Sequence, residues 1–210
     1  MKCFSDKMTS IVVKALRRIV RPFTLPGPIG IGKIGGRGSR IEFPREILNC
    51  KHLKIGDGTL VRRNSHILAV AEGDGSGYNP LIVIEDDVYI GRHSFITCQD
   101  KIVIGAGTVI SDYLYISDTA HGVDPKRGKI LLQPLESKGP VVIGQNCFIG
   151  MRVSILPGVT LGDWCIVGAH SVVTRSFPKY SMIAGVPARI IRRYNPETGI
   201  WATASSGGTT

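Results

Sequence analysis

The feature that most constrains the fold of this chain is a six-residue repeat that begins at Ile55 and whose last unit starts at Val173. Every unit begins with Ile, Leu or Val, and seven of the fifteen units have glycine at the second position. The units fall into five groups of three, which begin at Ile55, Ile84, Ile104, Ile143 and Leu161. A sustained period of this kind points to a repeat architecture and has to be interpreted before individual helices and strands.

The length of the unit decides which repeat architecture is possible. Six residues are too few for a helical repeat but suit a short strand followed by a tight turn. Glycine at the second position suits a backbone that bends where a side chain would be crowded. Three units then make one triangular coil, and successive coils stack at the roughly 4.8 Å spacing of parallel strands. The repeat therefore predicts an all-β protein with a parallel β-helix around a column of aliphatic and small side chains.

The longest interruption of the repeat marks the first candidate for chemistry. Residues 122–142 form this insertion, and it directly follows Ser117-Asp118-Thr119-Ala120-His121. Loops longer than about 15 residues are usually functional or disordered. This one carries lysines together with an Ile-Leu-Leu run, so we expect it to fold over a neighbouring surface. His121 lies where the array breaks before it resumes in step, and it is therefore a candidate catalytic residue.

The segments outside the repeat divide the chain into four parts. Residues 1–28 are predicted to be a basic amphipathic helix and linker, and residues 29–178 the β-helix domain. Pro187 suits the first turn of a helix, so residues 179–201 are predicted to form a C-terminal cap that contains a short helix. The Ser/Gly/Thr-rich residues 202–210 predict a disordered tail.

Charge and composition narrow the class of partner. The 210-residue chain has 26 Lys and Arg against 16 Asp and Glu, a formal net charge of +10, which favours anionic partners. Aromatic residues make up only 7% of the chain, and no basic-aromatic RNA-binding motif occurs. A phosphorylated small molecule is therefore a better expectation than nucleic acid. The five cysteines include no C-x-x-C pair, which argues against a disulfide framework or a zinc knuckle.

The predicted N-terminal helix has two possible binding partners. Residues 8–21 carry four basic residues among aliphatic ones, so the helix can lie on an anionic membrane surface or pack against the body or a neighbouring subunit. No apolar run approaches the roughly 18 residues of a membrane span, and the basic residues do not fit a signal peptide. We therefore expect a cytoplasmic protein, peripheral at the inner face of the membrane under the first alternative.

Four motifs resemble one known family. They are I-G-x-x-x-x-I-G at 143–150, L-P-G-V-T-L-G at 156–162, V-G-A-H-S-V-V-T at 167–174 and A-G-V-P-A at 184–188. With these motifs and the repeat, the chain resembles the hexapeptide-repeat acyltransferases over residues 55–194, and within them the sugar O-acetyltransferases. The resemblance implies a left-handed parallel β-helix, acetyl-CoA as donor and a sugar as acceptor. It also implies a homotrimer with active sites between subunits.

The resemblance assigns roles to particular residues as well. His121 matches the family's catalytic base, which suits the chemistry: a sugar hydroxyl is a poor nucleophile at neutral pH, and imidazole can take its proton and return one to the departing thiolate. Asp118 is a candidate to orient the ring, although a backbone carbonyl would serve equally well. Donor-binding roles are implied for a further set, namely Met151, Ala169, Thr174, Arg175, Arg189 and Arg192.

Two residues are candidates for the acceptor side of the site, and both depend on the resemblance. Phe148 occupies a place where the family often has Trp, and His93 falls near a family asparagine close to the pocket. His170 stands where the family has glycine. For Arg189 and Arg192 the alternative is a solvated face of the C-terminal helix. No metal site is expected, because the five histidines show no H-x4-H pair of the kind found in zinc-dependent carbonic anhydrases of this fold.

Three other functions remain open. The first is N-acetyl transfer to a nucleotide-linked amino sugar, for which the same histidine would serve. The second is acetylation of xenobiotics, although the signature around the histidine in those enzymes differs from Ala120-His121-Gly122. The third is a non-enzymatic scaffold or membrane-surface protein, which the position of His121 at the break in the array disfavours.

Overall fold

The computed structural model describes residues 35–70 and 78–203, and in this part the chain is built almost entirely of short strands. Three parallel sheets form the faces of a triangular prism. Face A contains β1 (Arg40–Ile41), β4 (Leu60–Val61), β7 (Tyr89–Ile90), β10 (Val109–Ile110), β15 (Phe148–Ile149), β18 (Ile166–Val167) and β20 (Ser181–Gly185), and is extended by β21 (Ala188–Asn195) and β22 (Ile200–Thr203). Face B contains β3 (Leu53–Ile55), β6 (Leu81–Ile84), β9 (Lys101–Ile104), β14 (Val141–Ile143) and β17 (Thr160–Leu161). Face C contains β2 (Glu46–Leu48), β5 (His66–Ala69), β8 (Phe95–Cys98), β11 (Tyr115–Ser117), β16 (Ser154–Ile155) and β19 (Val172–Val173).

Each coil visits face B, then face A, then face C, and the strands of successive coils pair in parallel and in register. On face C, for example, Ile67 pairs with Ile96, Ile96 with Ile116, and Ile116 with Ile155. These side chains point inward and are at most 1% exposed, so each contributes about 1.5–3 kcal/mol of apolar burial. The parallel β-helix predicted from the six-residue period is confirmed.

Three short 3₁₀ helices and one antiparallel ribbon complete the described structure. The helices are η1 (Cys50–His52), η2 (Pro125–Arg127) and η3 (Ile130–Leu132), and the ribbon joins β12 (Thr119–His121) to β13 (Leu135–Ser137). The described residues contain no helix long and apolar enough to cross a bilayer. The predicted N-terminal helix, including residues 8–21, lies outside the described residues.

The predicted C-terminal helix is wrong. Residues 181–203 instead form two successive antiparallel hairpins that extend face A, with Pro187 in the turn between β20 and β21. The physical reason is the open edge left by the last coil, because unpaired backbone groups there bond to any strand that returns alongside. The β-branched Ile190 and Ile191 favour that extended structure. The predicted disordered tail also begins too early, since Ala202 and Thr203 belong to β22.

The corners of the prism are made by residues in the left-handed backbone conformation. At the corner between faces B and A, the BA corner, the third residue after each inward-facing position has a positive φ; these residues are Gly58, Asp87, Gly107, Asn146, Trp164 and Tyr180. At the corner between faces A and C, the AC corner, the equivalent residues are Asn64, His93, Tyr113, Arg152 and His170. The third corner, between faces C and B, is the CB corner, and the β12–β13 ribbon leaves the prism there.

The cysteines of the prism are packing residues. Cys98, Cys147 and Cys165 are buried free thiols. Burial raises the pKa of Cys147 to about 12 and also raises the pKa of Cys165. Burial, followed by the charge of Asp118, raises the pKa of Cys98 far above its ordinary value.

We expect these three thiols to resist iodoacetamide in the native protein at neutral pH, because only a thiolate reacts quickly. The exposed Cys50 serves as the internal control and should be labelled. Peptide mass spectrometry before and after denaturation measures both. Rapid native labelling of Cys147 would contradict the packing described here.

Candidate active site

His121 is carried by the β12–β13 ribbon rather than by a coil of the prism. It is the last residue of β12, pairs with Leu135 of β13, and has an exposed side chain. The next residue, Gly122, donates its N–H to the carbonyl of Pro134 at 3.0 Å. A Cβ at Gly122 would lie 3.0 Å from the side chain of Gln133, so the absence of a side chain lets the two strands approach. The ribbon therefore presents the imidazole to the outside of the prism.

Asp118 lies at the root of the ribbon and is fully buried. Its carboxylate accepts hydrogen bonds from the backbone N–H groups of Gln99, Asp100 and Lys101 at 2.7, 2.9 and 2.7 Å, and from the Thr119 hydroxyl at 2.9 Å. Among the described residues no hydrogen bond joins this carboxylate to His121. The expectation that Asp118 contacts the ring is therefore not met in the single chain. Asp118 instead ties the start of the ribbon to the turn that follows β8.

Two glutamines that the sequence did not single out also hold the ribbon and its loop. Gln99 is 2% exposed and donates its side-chain N–H to the carbonyl of Leu135, the partner of His121, at 3.1 Å. Gln133 accepts from the N–H of Asp124 at 2.9 Å and donates to the carbonyls of Asp124 and Gly128 at 2.9 and 3.1 Å. No sequence signal distinguished these glutamines, because their partners are backbone groups brought close only by the fold.

The loop beyond His121 presents apolar side chains to the outside. Val123, Ile130, Leu131 and Leu132 are 69, 55, 83 and 78% exposed. Four large apolar side chains exposed in one loop are unusual for a surface that faces only water. The loop is nonetheless held in place, because Gln133 and the Asp124 cap of η2 fix its backbone. The loop therefore presents an ordered apolar surface next to His121.

The candidate acceptor and donor residues at the AC corner lie close together along the prism. His93 stacks on Tyr113 with ring centroids 4.9 Å apart, and the guanidinium of Arg152 lies 5.2 Å from the centre of the same Tyr113 ring. Met151 accepts a backbone hydrogen bond from the N–H of His170 at 2.8 Å. Ala169 is exposed beside it. The AC corner therefore carries His93, Met151 and Ala169 in one exposed column.

Arg189 and Arg192 share one face of the sheet, although not because of a helix. Arg189 pairs with Ala184 and Arg192 with Met182, and a β-bulge between these pairs inserts Ile191 as an extra residue. Cross-strand partners point to the same side, and Met182 and Ala184 are two residues apart on one strand. The bulge thus turns both arginines to the outer surface of face A. There they follow Phe148, Ile166 and Met182, which occupy successive strands of that surface.

Thr174 and Arg175 occupy a different edge. They follow β19 and enter the CB corner, two coils beyond the position from which the His121 ribbon departs. The AC corner and the CB corner are separated by the width of face C, which at one six-residue unit is about 15–20 Å. One chain therefore does not bring His121 together with His93, Met151 and Ala169.

Comparison with known proteins decides the family. Residues 140–175 match the model of the bacterial transferase hexapeptide family. WbbJ of Escherichia coli K12, whose name assigns it to O-acetyl transfer in lipopolysaccharide biosynthesis, is 34% identical over 171 residues, which is 78% of this chain and 83% of WbbJ. The chain belongs to the hexapeptide-repeat acyltransferases. The β-helix described above is accordingly the left-handed one of that family, an exception to the usual right-handed crossover.

Two further relatives of this acyltransferase are informative. The galactoside O-acetyltransferase of Escherichia coli K12 is 36% identical over 118 residues, which is 52% of this chain and 55% of that protein. The N-acyltransferase AntD of Bacillus cereus, crystallised with dTDP and 3-hydroxybutyryl-CoA, superposes with a TM-score of 0.65 over 80% of this chain and 87% of AntD. Its sequence identity is 18%, so this likeness shows the fold alone.

Proposed function

We propose that this acyltransferase uses acetyl-CoA to acetylate a hydroxyl group of a saccharide, a surface polysaccharide or its precursor. The observation that carries the proposal is His121, an exposed imidazole on a ribbon fixed at both strands. The chain that carries it is 34% identical over most of its length to WbbJ, a protein named for O-acetyl transfer in lipopolysaccharide biosynthesis. The galactoside O-acetyltransferase is named for a sugar acceptor, and AntD was crystallised with an acyl-CoA.

In this mechanism His121 acts as general base. Its neutral ring accepts the proton of the acceptor hydroxyl as the oxygen forms a bond to the acetyl carbonyl carbon. The tetrahedral adduct then loses the CoA thiolate, and the protonated ring returns the proton to that sulfur. Over the whole reaction one C–O bond forms and one C–S bond breaks, the proton moves from the hydroxyl to the thiol, and the histidine ends neutral. Gln99 and Asp118 act indirectly, because they hold the ribbon that aims the ring.

Donor binding is assigned to three groups of residues. Arg189 and Arg192 lie on one surface and suit the phosphates of CoA, because the planar guanidinium donates paired hydrogen bonds. Arg175 and Thr174 lie at the CB corner beside the same edge as His121. Met151 and Ala169 offer backbone groups at the AC corner, where His93 is assigned to the acceptor and Phe148 to the wall of the pocket.

The homotrimer is part of the proposal, and the separation of the two corners supports it. If a second copy places its AC corner against the CB corner of the first, His121 and the donor residues meet between subunits. The exposed apolar side chains of the 122–142 loop then become buried, which removes apolar surface from water.

We expect sedimentation equilibrium to give a trimer. The double substitution Leu131→Ser with Leu132→Ser should weaken assembly and activity together, because both side chains are over three-quarters exposed in the single chain. Leu48→Ser, which changes a 42% exposed apolar residue on β2 of face C, is the control for a general change in surface polarity. A fully active monomer would contradict the shared site.

The second candidate function is N-acetyl transfer to a nucleotide-linked amino sugar. The fold accommodates this chemistry as well, because AntD, which shares the fold, is an N-acyltransferase. An acceptor screen with acetyl-CoA, covering free oligosaccharides, lipid-linked sugars and nucleotide-linked amino sugars, tests the proposal. Acetyl transfer to the amino sugars alone would replace the O-acetyl proposal by this alternative.

A further inference from the structure

The C-terminal hairpins and the last two coils form an aromatic pocket that the transfer mechanism does not use. It has a volume of about 440 Å³ and is lined by Trp164, Tyr180, Tyr194, Pro196 and Trp201. It opens at the BA corner, whereas Met151, Ala169 and His93 lie at the AC corner and His121 at the CB corner. The pocket therefore lies away from these two corners, and Arg192, which is proposed to bind the donor, lies two residues before Tyr194 on β21.

The pocket is built by the pairing of the hairpins with the final coil. Tyr194 and Trp201 are cross-strand partners of β21 and β22, and the N–H of Tyr194 donates to the carbonyl of Tyr180 at 3.0 Å. The Tyr180 and Tyr194 rings are 5.5 Å apart and the Tyr194 and Trp201 rings 5.4 Å apart. Trp164, which is 53% exposed, completes the lining. Three rings in contact thus form a continuous apolar wall, and one half-exposed indole stands beside it.

The residue types at the BA corner change where the pocket begins. Gly58, Asp87, Gly107 and Asn146 occupy the left-handed positions of the earlier coils, and these are the residues that tolerate a positive φ. The last two coils place Trp164 and Tyr180 at the same position with φ of 59° and 64°. Bulky side chains are disfavoured there. Such outliers are a reason to look for a function.

The polar groups of the pocket are free for a ligand. Within the described part of the chain, neither indole N–H and neither phenol hydroxyl of the four aromatic residues forms a hydrogen bond with another protein group. No carboxylate lines the pocket, and the ammonium of Lys179 lies 5.5 Å from the centre of the Tyr180 ring. The lining thus combines flat apolar faces, unpaired donors and a nearby positive charge, which disfavours a cationic ligand.

We propose that this pocket binds a pyranose unit of the saccharide acceptor, away from the hydroxyl that is acetylated. The inference rests on the proposed function. A pyranose ring presents an apolar C–H face, which packs against aromatic rings, and an edge of hydroxyl groups, which the phenol and indole groups can bind. A site of this kind holds a polymeric or lipid-linked acceptor through a part of the molecule that does not react.

The test uses the full chain without acetyl-CoA. Saturation-transfer NMR with maltotriose, lactose, mannobiose and N,N′-diacetylchitobiose should show binding of at least one sugar, with a Kd of about 1 mM. Trp164→Asn and Trp201→Ala should each weaken that binding about tenfold or more. Trp164→Asn should not disturb the fold, because Asn146 already occupies the equivalent position in the preceding coil. Its melting temperature should be unchanged or higher.

Phe43→Ala is the matched control, because Phe43 is a 56% exposed aromatic residue with positive φ at the other end of the prism. It should leave sugar binding intact. The proposal is overturned if no sugar of the panel binds, or if the tryptophan variants bind as wild type does. Displacement of the sugar by adenosine 3′,5′-bisphosphate would assign the pocket to a nucleotide instead. A change of oligomeric state in Trp201→Ala would assign it to a contact between copies.

Failure of the inference can be told apart from failure of the proposed function. Sugar binding is measured without donor, so it should persist in His121→Ala. Acetyl transfer with an unchanged acceptor KM in Trp164→Asn would support the proposed function and contradict the sugar site. Sugar binding without acetyl transfer would support the sugar site and contradict the proposed function.

Discussion

Replacing His121 with alanine is expected to lower kcat for acetyl transfer by about 10²–10⁴-fold, the usual contribution of a positioned general base. The hydroxyl then has no group to take its proton as the bond to the acetyl carbon forms. The fold should be unaffected, because the side chain of His121 is exposed. Steady-state kinetics measure the loss, and calorimetric titration should show an acetyl-CoA Kd close to that of wild type.

A histidine elsewhere on the prism provides the control for this substitution. His66 lies on the outer surface of face C, where its ring is 5.3 Å from that of Phe95, and it belongs to no part of the proposed site. His66→Ala should retain wild-type kcat. Normal turnover by His121→Ala would remove the proposed base and leave the ribbon without a catalytic role.

The second large effect is expected at the outer surface of face A. The double substitution Arg189→Ala with Arg192→Ala should raise the KM for acetyl-CoA by roughly tenfold to a hundredfold for each arginine, because a hydrogen bond to a charged group is worth about 1.5–3 kcal/mol. If these side chains hold the 3′-phosphate, the variant should also lose its preference for acetyl-CoA over acetyl-dephospho-CoA. The acceptor KM should barely change.

The bulge supplies a matched control for the arginine substitutions. Arg193 pairs with Ser181, whose side chain is buried, so Arg193 points to the side of the sheet opposite Arg192. Arg193→Ala removes the same charge from the next residue and should leave the donor KM within about twofold of wild type. Equal donor KM in the double variant and wild type would show that Arg189 and Arg192 are solvated surface residues that do not bind the donor.

The regular part of the fold followed from the sequence because one physical constraint repeats. Each inward position must be aliphatic and each corner must bend, so Ile67, Ile96 and Ile116 fall into register without any tertiary information. The C-terminal segment carried a conflicting signal. Pro187 after a turn suits both a helix start and a hairpin, and the open edge of the last coil decided the outcome. That edge is a property of the assembled prism and is not visible in a local window.

The candidate site was predictable only in part, and for a related reason. His121 could be found because it lies at the break of the repeat. The engagement of Asp118 with the turn after β8 could not, because its partners are backbone groups about 18 residues away. Arg189 and Arg192 share a surface because of the bulge at Ile191, which no sequence pattern marks. The way in which the two corners of face C would meet in the proposed trimer depends on a second copy, which sequence spacing does not encode.

We propose that this acyltransferase forms an acetyl ester on a saccharide hydroxyl with His121 as base. The most direct measurement is mass spectrometry of the saccharide product made with acetyl-CoA by the wild-type enzyme and by His121→Ala, before and after mild alkali. We expect an acetyl group that appears with wild type, is removed by alkali, and is nearly absent with the variant. An acetyl group that survives alkali as an amide, or that the variant transfers at the wild-type rate, would contradict it.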